Sequence, residues 1–248
     1  MTNVAQPTPQ WNPVARVRSH ELVIAAIEDQ IMHGALTVGD PLPSERELAA
    51  RLQVSRAGVR EAIRVLEAQG VVTANVGAGP DAGTFIAAMP SAALTRFLRL
   101  HVALSNFPMV DIVDARVMLE RNSAALAAAH ASAAELDAIR IPLLQMDTPG
   151  LDCEVFNDAD TAFHVAIAEA SGNRLVADMT VAIRASLRHP ILAAMRQVPD
   201  WTTLSQTLQA QHHGIFDAIE SRDAQRAADL TEQHIRAAFV ALPTLQER

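Results

Sequence analysis

The chain has 248 residues, half of them hydrophobic, with a single cysteine, no tyrosine, no lysine and a formal net charge of −8. That length and apolar content suit one large domain or two smaller ones, while the lone Cys153 excludes an internal disulfide or a cysteine-rich zinc module and reads as a small buried hydrophobe. No run reaches the roughly 18 uninterrupted apolar residues of a bilayer span, and MTNVAQPTPQWNP lacks the charged and apolar regions of a secretory leader, so a soluble, cytoplasmic protein with no membrane partner is expected.

The acidic balance holds in both parts of the chain, with 7 Arg against 9 acidic residues in 1–88 and 13 against 19 beyond. This argues against nonspecific, histone-like DNA binding. Any affinity for DNA must come from local placement of arginines and from helix N-termini, doubled by dimerisation.

Residues 1–18 contain Pro and Gln without periodicity and read as a flexible arm. From Ser19 to His33, Val23, Ile27 and Ile31 recur one helical turn apart, and Gly34 ends the helix. The loop from Leu36 to Leu42 should bring Leu42 beneath the elements that follow.

The stretch from Pro43 to Gly70 reads as two short helices joined by a tight turn. Ser44 and Glu47 have capping-box spacing, so a helix starts at Ser44 and buries Leu48, Ala49 and Leu52. Ser55 offers a second cap before a helix that carries Val59, Ile63 and Leu66 on its apolar face and closes at Gly70. On the exposed side Arg56, Arg60 and Arg64 stand at i, i+4, i+8. A helix that offers its first turns to base edges is how a helix-turn-helix enters the major groove, and the planar fork of arginine suits guanine or phosphate. The same spacing also fits a solvated face whose arginines pair locally with Glu61 and Glu67.

Val71 to Val76 has strand composition, Gly77 to Gly83 is a turn, and Thr84-Phe85-Ile86 can return as a second strand, which makes a β-wing. The run LPSERELA, then VSR…VREAI..LE..G.V, then a glycine-rich wing ending GTFI resembles the GntR family of bacterial transcription regulators across residues 19–88. The resemblance implies that Arg46, Arg56 and Arg60 touch operator DNA with Ser55 near the backbone. The wing, VGAGPDAG, carries no cation and includes Asp81, unlike many relatives. Backbone N–H groups at Gly77 and Gly79 remain able to approach phosphate.

Beyond Met89-Pro90 the chain turns to Ala- and Leu-rich helical runs, near 91–104, 109–131, 132–147, 158–171, 173–194, 201–220 and 223–241. Ser132 with Glu135 is a further capping box, and Pro142 should kink or end its helix. The expected fold is mainly α: a winged helix-turn-helix domain followed by an antiparallel all-helical bundle over 91–243.

Asp160 and His164, at i and i+4, share a helix face at a spacing from which both reach one metal ion; taken alone, the pair fits a capping Asp with an incidental His better. Two more histidines, His212 in HHGIFDAIESRD and His234 in LTEQHIRAAF, complete a pattern that resembles the FCD-type effector domain of the FadR branch of the GntR family. The resemblance implies a metal held by Asp160, His164, His212 and His234. The neighbouring His213 would point about 100° away on a helix. Such N/O donors suit Zn²⁺, Ni²⁺, Mn²⁺ or Fe²⁺. Arg116, in DARVMLE, matches the family's pocket arginine and Asn173, in ASGN, another recurrent site. Arg116 also fits a surface ion pair with Glu120. Arg184 and Arg188, one turn apart, are weaker pocket candidates that read first as a solvated face, and His20, His33, His101, His130 and His189 read as structural or exposed.

The expected function is that of a ligand-responsive transcription regulator, foremost a repressor, which binds palindromic operator DNA as a homodimer and responds to a small carboxylate at the metal site. The rivals are a metal-dependent hydrolase or lyase on the bundle and a winged domain that binds protein.

Overall fold

The computed structural model describes residues 18–75, 83–87 and 91–246. The chain divides into two compact units, Met1–Pro90 and Ser91–Arg248. The expectations for the N-terminal arm and for Gly77, Gly79 and Asp81 in the wing lie outside the described residues.

The first unit comprises α1 (Ser19–Met32), α2 (Glu45–Leu52), α3 (Arg56–Ala68), β1 (Val72–Asn75) and β2 (Gly83–Ile86). Its helices start where side chains can satisfy otherwise unpaired N–H groups. The Ser44 hydroxyl accepts from the Glu47 N–H at 3.3 Å, while the Glu47 carboxylate accepts from the Ser44 N–H at 3.0 Å. Ser55 caps α3 by accepting from the Gly58 N–H at 3.1 Å. Between the two helices Gln53 takes the left-handed conformation (φ 54°), which makes the turn tight.

The floor of this unit is built from Val23 and Ile27 of α1, Leu48 of α2, and Val59, Ile63 and Leu66 of α3, closed by Val72 and Ile86 of the strands. Leu42 packs into the same core. Gly58 lets α1 and α3 approach, because a Cβ there would stand 3.0 Å from the Ser19 Cβ. Strand β1 pairs antiparallel with β2, Val72 opposite Ile86. The loop before α2 lies along the other edge of β2: Ile86 donates to the Asp40 carbonyl at 2.9 Å and Leu42 to the Thr84 carbonyl at 2.8 Å.

The second unit is a bundle of α4 (Ser91–Ala103), α5 (Met109–His130), α6 (Ala133–Met146), α7 (Cys153–Ala170), α8 (Arg174–Met195), α9 (Trp201–Glu220), α10 (Ala224–Ala241) and the short α11 (Pro243–Gln246). Three particulars differ from the sequence reading. Helix α7 starts at Cys153, ahead of residue 158, because Asp152 caps it and Phe156 in its first turn is fully buried. Helix α6 continues past Pro142 to Met146; the proline sacrifices one hydrogen bond, but Pro142, Leu143 and Met146 are all buried where α6 packs on α7. The final short helix was not expected. Among the described residues no helix is long and apolar enough to cross a membrane.

Candidate metal centre and DNA-reading face

On α3 the side chains of Arg56, Arg60 and Arg64 are all exposed, as are Ser55 at its start and Arg46 on α2. Arg46 and Arg56 make no ion pair among the described residues, so both forks are free. Arg60 is engaged: its Nε and terminal nitrogen donate to Glu45 at 3.0 to 3.2 Å. Arg64 stands 3.8 Å from Glu61. The anticipated pairing with Glu61 and Glu67 thus holds for Glu61 alone. The main partner, Glu45, comes from the preceding helix, which spacing along α3 could not reveal. Both Arg60 and Glu45 are solvent-accessible, so this contact exchanges readily.

In the bundle, three helices bring Asp160 and His164 (α7), His212 (α9) and His234 (α10) together in the buried interior, one ligand atom of each within 4.8 Å of all the others. Two metal–ligand bonds of about 2.1 Å nearly span that distance. Asp160 Oδ1 is the common point: His212 Nε2 lies 3.0 Å from it, and the Nε2 atoms of His164 and His234 lie 3.8 Å from it.

Surrounding groups fix the orientation of each ligand. His164 turns Nδ1 to the Glu120 carboxylate at 3.0 Å and leaves Nε2 without a hydrogen-bond partner. His234 bonds the Gln211 side-chain oxygen through Nδ1 at 2.9 Å, which frees its Nε2 in the same way. His212, fully buried, has no partner at Nδ1, and its Nε2 has none but the Asp160 carboxylate 3.0 Å away. Unpaired polar atoms in a core cost about 1–3 kcal/mol each, and a cation among them would remove much of that penalty. A donor set aimed inward and locked from outside in this way fits a metal ion.

Two buried arginines complete the surroundings. Arg184, only 2 % exposed, donates to Asp160 Oδ2 at 2.7 Å and to both oxygens of Glu120 at 2.5 and 3.1 Å. It therefore does not belong to a solvated face, as its spacing from Arg188 suggested; Arg188 does, paired with Asp158 at 2.6 Å. Arg116 bonds Glu120 at 3.0 Å, and this pair is buried rather than superficial. Glu120 was not singled out as a site residue from the sequence because two of its three partners, His164 and Arg184, lie on other helices. Its only legible signal was the i, i+4 relation to Arg116.

Burial opposes the negative charge on Glu120 and Asp160, but their neighbours together outweigh it, Arg184 foremost, with Arg116 and His164 beside Glu120 and with His212 and His164 beside Asp160, and both carboxyls are held well below their usual range. Burial, reinforced by Arg184, lowers His164 to about 4. Burial and then the neighbouring His212 and His164 push His234 well down. Both imidazoles are thus neutral near pH 7, the form that ligates metals.

His213 lies off the cluster, bonded to Asp147 at 2.9 Å. Asn173 is not brought to the cluster either: it is exposed and caps α8, its side-chain oxygen accepting from the Val176 N–H at 3.2 Å. Beside the cluster lies a cavity to which Arg116, Asp160 and His234 contribute; its other lining residues are apolar.

Residues 111–237 match the FCD domain, and residues 20–80 match the family of bacterial regulatory proteins called gntR. The chain is 30% identical over 244 residues to the HTH-type transcriptional repressor NanR of Cronobacter sakazakii, covering 95% of this chain and 90% of that protein. It is also 30% identical over 233 residues to the repressor of the same name from Salmonella typhimurium, covering 91% and 84% of the two chains. Among solved structures, a GntR protein of Streptococcus agalactiae superposes with a TM-score of 0.62 at 22% identity, over 88% of this chain and 97% of that one. The E. coli protein McbR/YncC gives 0.50 at 18% identity, over 92% and 98%. At these identities both structures speak for the fold alone.

Proposed function

Because this chain belongs to the GntR family of bacterial regulatory proteins and carries an FCD domain, we propose that it is a repressor whose grip on operator DNA is set by a small organic acid bound at a metal site in the helical bundle. The chain is a ligand-responsive transcription regulator and not an enzyme, which removes the hydrolase or lyase reading.

The observation that carries the proposal is the charge balance of the buried site. Arg116 and Arg184 oppose Glu120 and Asp160, two positive groups against two negative, with His164 and His234 neutral. The side chains are therefore already compensated. A divalent ion adds two positive charges in a region where uncompensated charge is expensive, so the loaded site favours an anion.

Asp160, His164, His212 and His234 would hold the ion, which would supply positive charge and an open position for a ligand oxygen. Arg116 would take the second oxygen: its hydrogen bond to Glu120 uses Nε, and its terminal amino groups remain for the ligand. Gln211 and Glu120 keep two of the imidazoles in the correct tautomer.

At the other end of the chain, Arg46, Arg56 and Arg60 would read or clamp DNA, with Ser55 against the backbone, and two copies would engage a palindromic site. A ligand releases the DNA only when it binds the DNA-incompetent arrangement more tightly than the competent one. Elemental analysis of the purified protein tests the metal. One divalent ion per chain is expected in the wild type and none in the His164→Ala, His234→Ala double variant; full retention by the double variant places the ion elsewhere.

A further inference from the structure

The cavity beside the cluster has one polar end and an otherwise apolar wall. The polar end is Arg116, Asp160 and His234; the wall is hydrocarbon and thioether from α5, α8, α9 and α10, including Val113, Leu187, Met195 and Leu208. Among the described residues no hydroxyl, amide or further charge lines it. Two more lining residues, Leu242 and Leu245, belong to the α10–α11 junction and α11, and both are buried. With these two leucines in place the cavity measures about 30 Å³, space for about two or three waters.

From this geometry we infer that the effector is a monocarboxylate with an apolar, hydroxyl-free body, which takes the place now filled by Leu242 and Leu245. The inference rests on the carboxylate-effector reading above and specifies its chemistry. A carboxylate group alone would meet the polar end and leave the leucines undisturbed. A longer ligand must move part of the wall, and α11, with four residues, is the shortest element that contributes to it. Withdrawing two leucines from the interior is unfavourable unless equivalent apolar surface replaces them. An alkyl or aryl body does so. A polyhydroxylated body brings hydroxyls that find no donor or acceptor on this wall and lose their hydration without return.

The test uses the full chain loaded with Zn²⁺ and calorimetric titration with octanoate, gluconate and acetate at equal ionic strength. Octanoate should bind at least about tenfold more tightly than either of the others, and removing the metal should weaken it. The Leu242→Ala, Leu245→Ala double variant, with less side chain to displace, should bind octanoate more tightly and acetate unchanged. Gluconate binding as tightly as octanoate in a metal-dependent manner would overturn the inference while leaving the carboxylate-effector reading intact. Failure of all three acids to bind the loaded protein would overturn both. Octanoate binding that is indifferent to the metal and to both leucines would mean that it sits elsewhere, and would also overturn the inference.

Discussion

Glu120 accepts from His164, Arg116 and Arg184 at once, and so ties three helices together at the wall of the metal centre. Glu120→Gln would leave two buried guanidinium groups undercompensated, a change that typically costs about 3–5 kcal/mol when a buried pair loses one partner. Urea denaturation should show that loss as a lower midpoint with an unchanged slope. A milder probe is Gln211, which is half-buried and touches the site only through His234 Nδ1. Gln211→Ala should weaken metal binding about 10–100-fold, as losses of such outer partners do, with little effect on the fold; chelator competition measures it. The convergence of Asp160, His164, His212 and His234 was legible from the i, i+4 relation of Asp160 to His164 together with a family resemblance. Arg184 was not, because one-turn spacing from Arg188 suggests a shared solvated face, and only the packing of α8 against α7 and α5 buries one of the two.

At the level of elements, capping chemistry was the most readable feature. Ser44 with Glu47 and Ser132 with Glu135 form the reciprocal bonds that their spacing implies. Ser44→Ala should lower stability by about 1 kcal/mol, visible as a reduced thermal midpoint. Less readable were features decided by neighbouring helices. Helix α6 runs through Pro142 because burial on α7 offsets one lost bond, and α7 gains its first turn because Phe156 has a core to enter. The closeness of α1 and α3 at Gly58 also belongs to packing. Gly58→Val should destabilise the first unit by about 1–3 kcal/mol through overpacking, detectable as loss of DNA binding on warming before the bundle melts.

For the molecule as a whole, an acidic chain of net charge −8 has to bind DNA with few cations. Arg56 and Arg60 stand one turn apart on the exposed face of α3, and replacing either with Ala should cost about 1–3 kcal/mol of operator affinity if it makes a bidentate base contact. Glu45 already holds the Arg60 fork, so a DNA contact by Arg60 would have to replace that carboxylate. The central claim is that occupancy of the buried centre controls this reading face, and it is tested most directly by fluorescence anisotropy on the DNA flanking the protein's own gene, at fixed salt. Zn²⁺-loaded wild type should bind that DNA and lose at least about tenfold in affinity when octanoate is added, a typical allosteric coupling, whereas the His164→Ala, His234→Ala double variant should bind DNA without responding. An equal response in the double variant, or a wild type indifferent to every carboxylate it binds, would contradict the account.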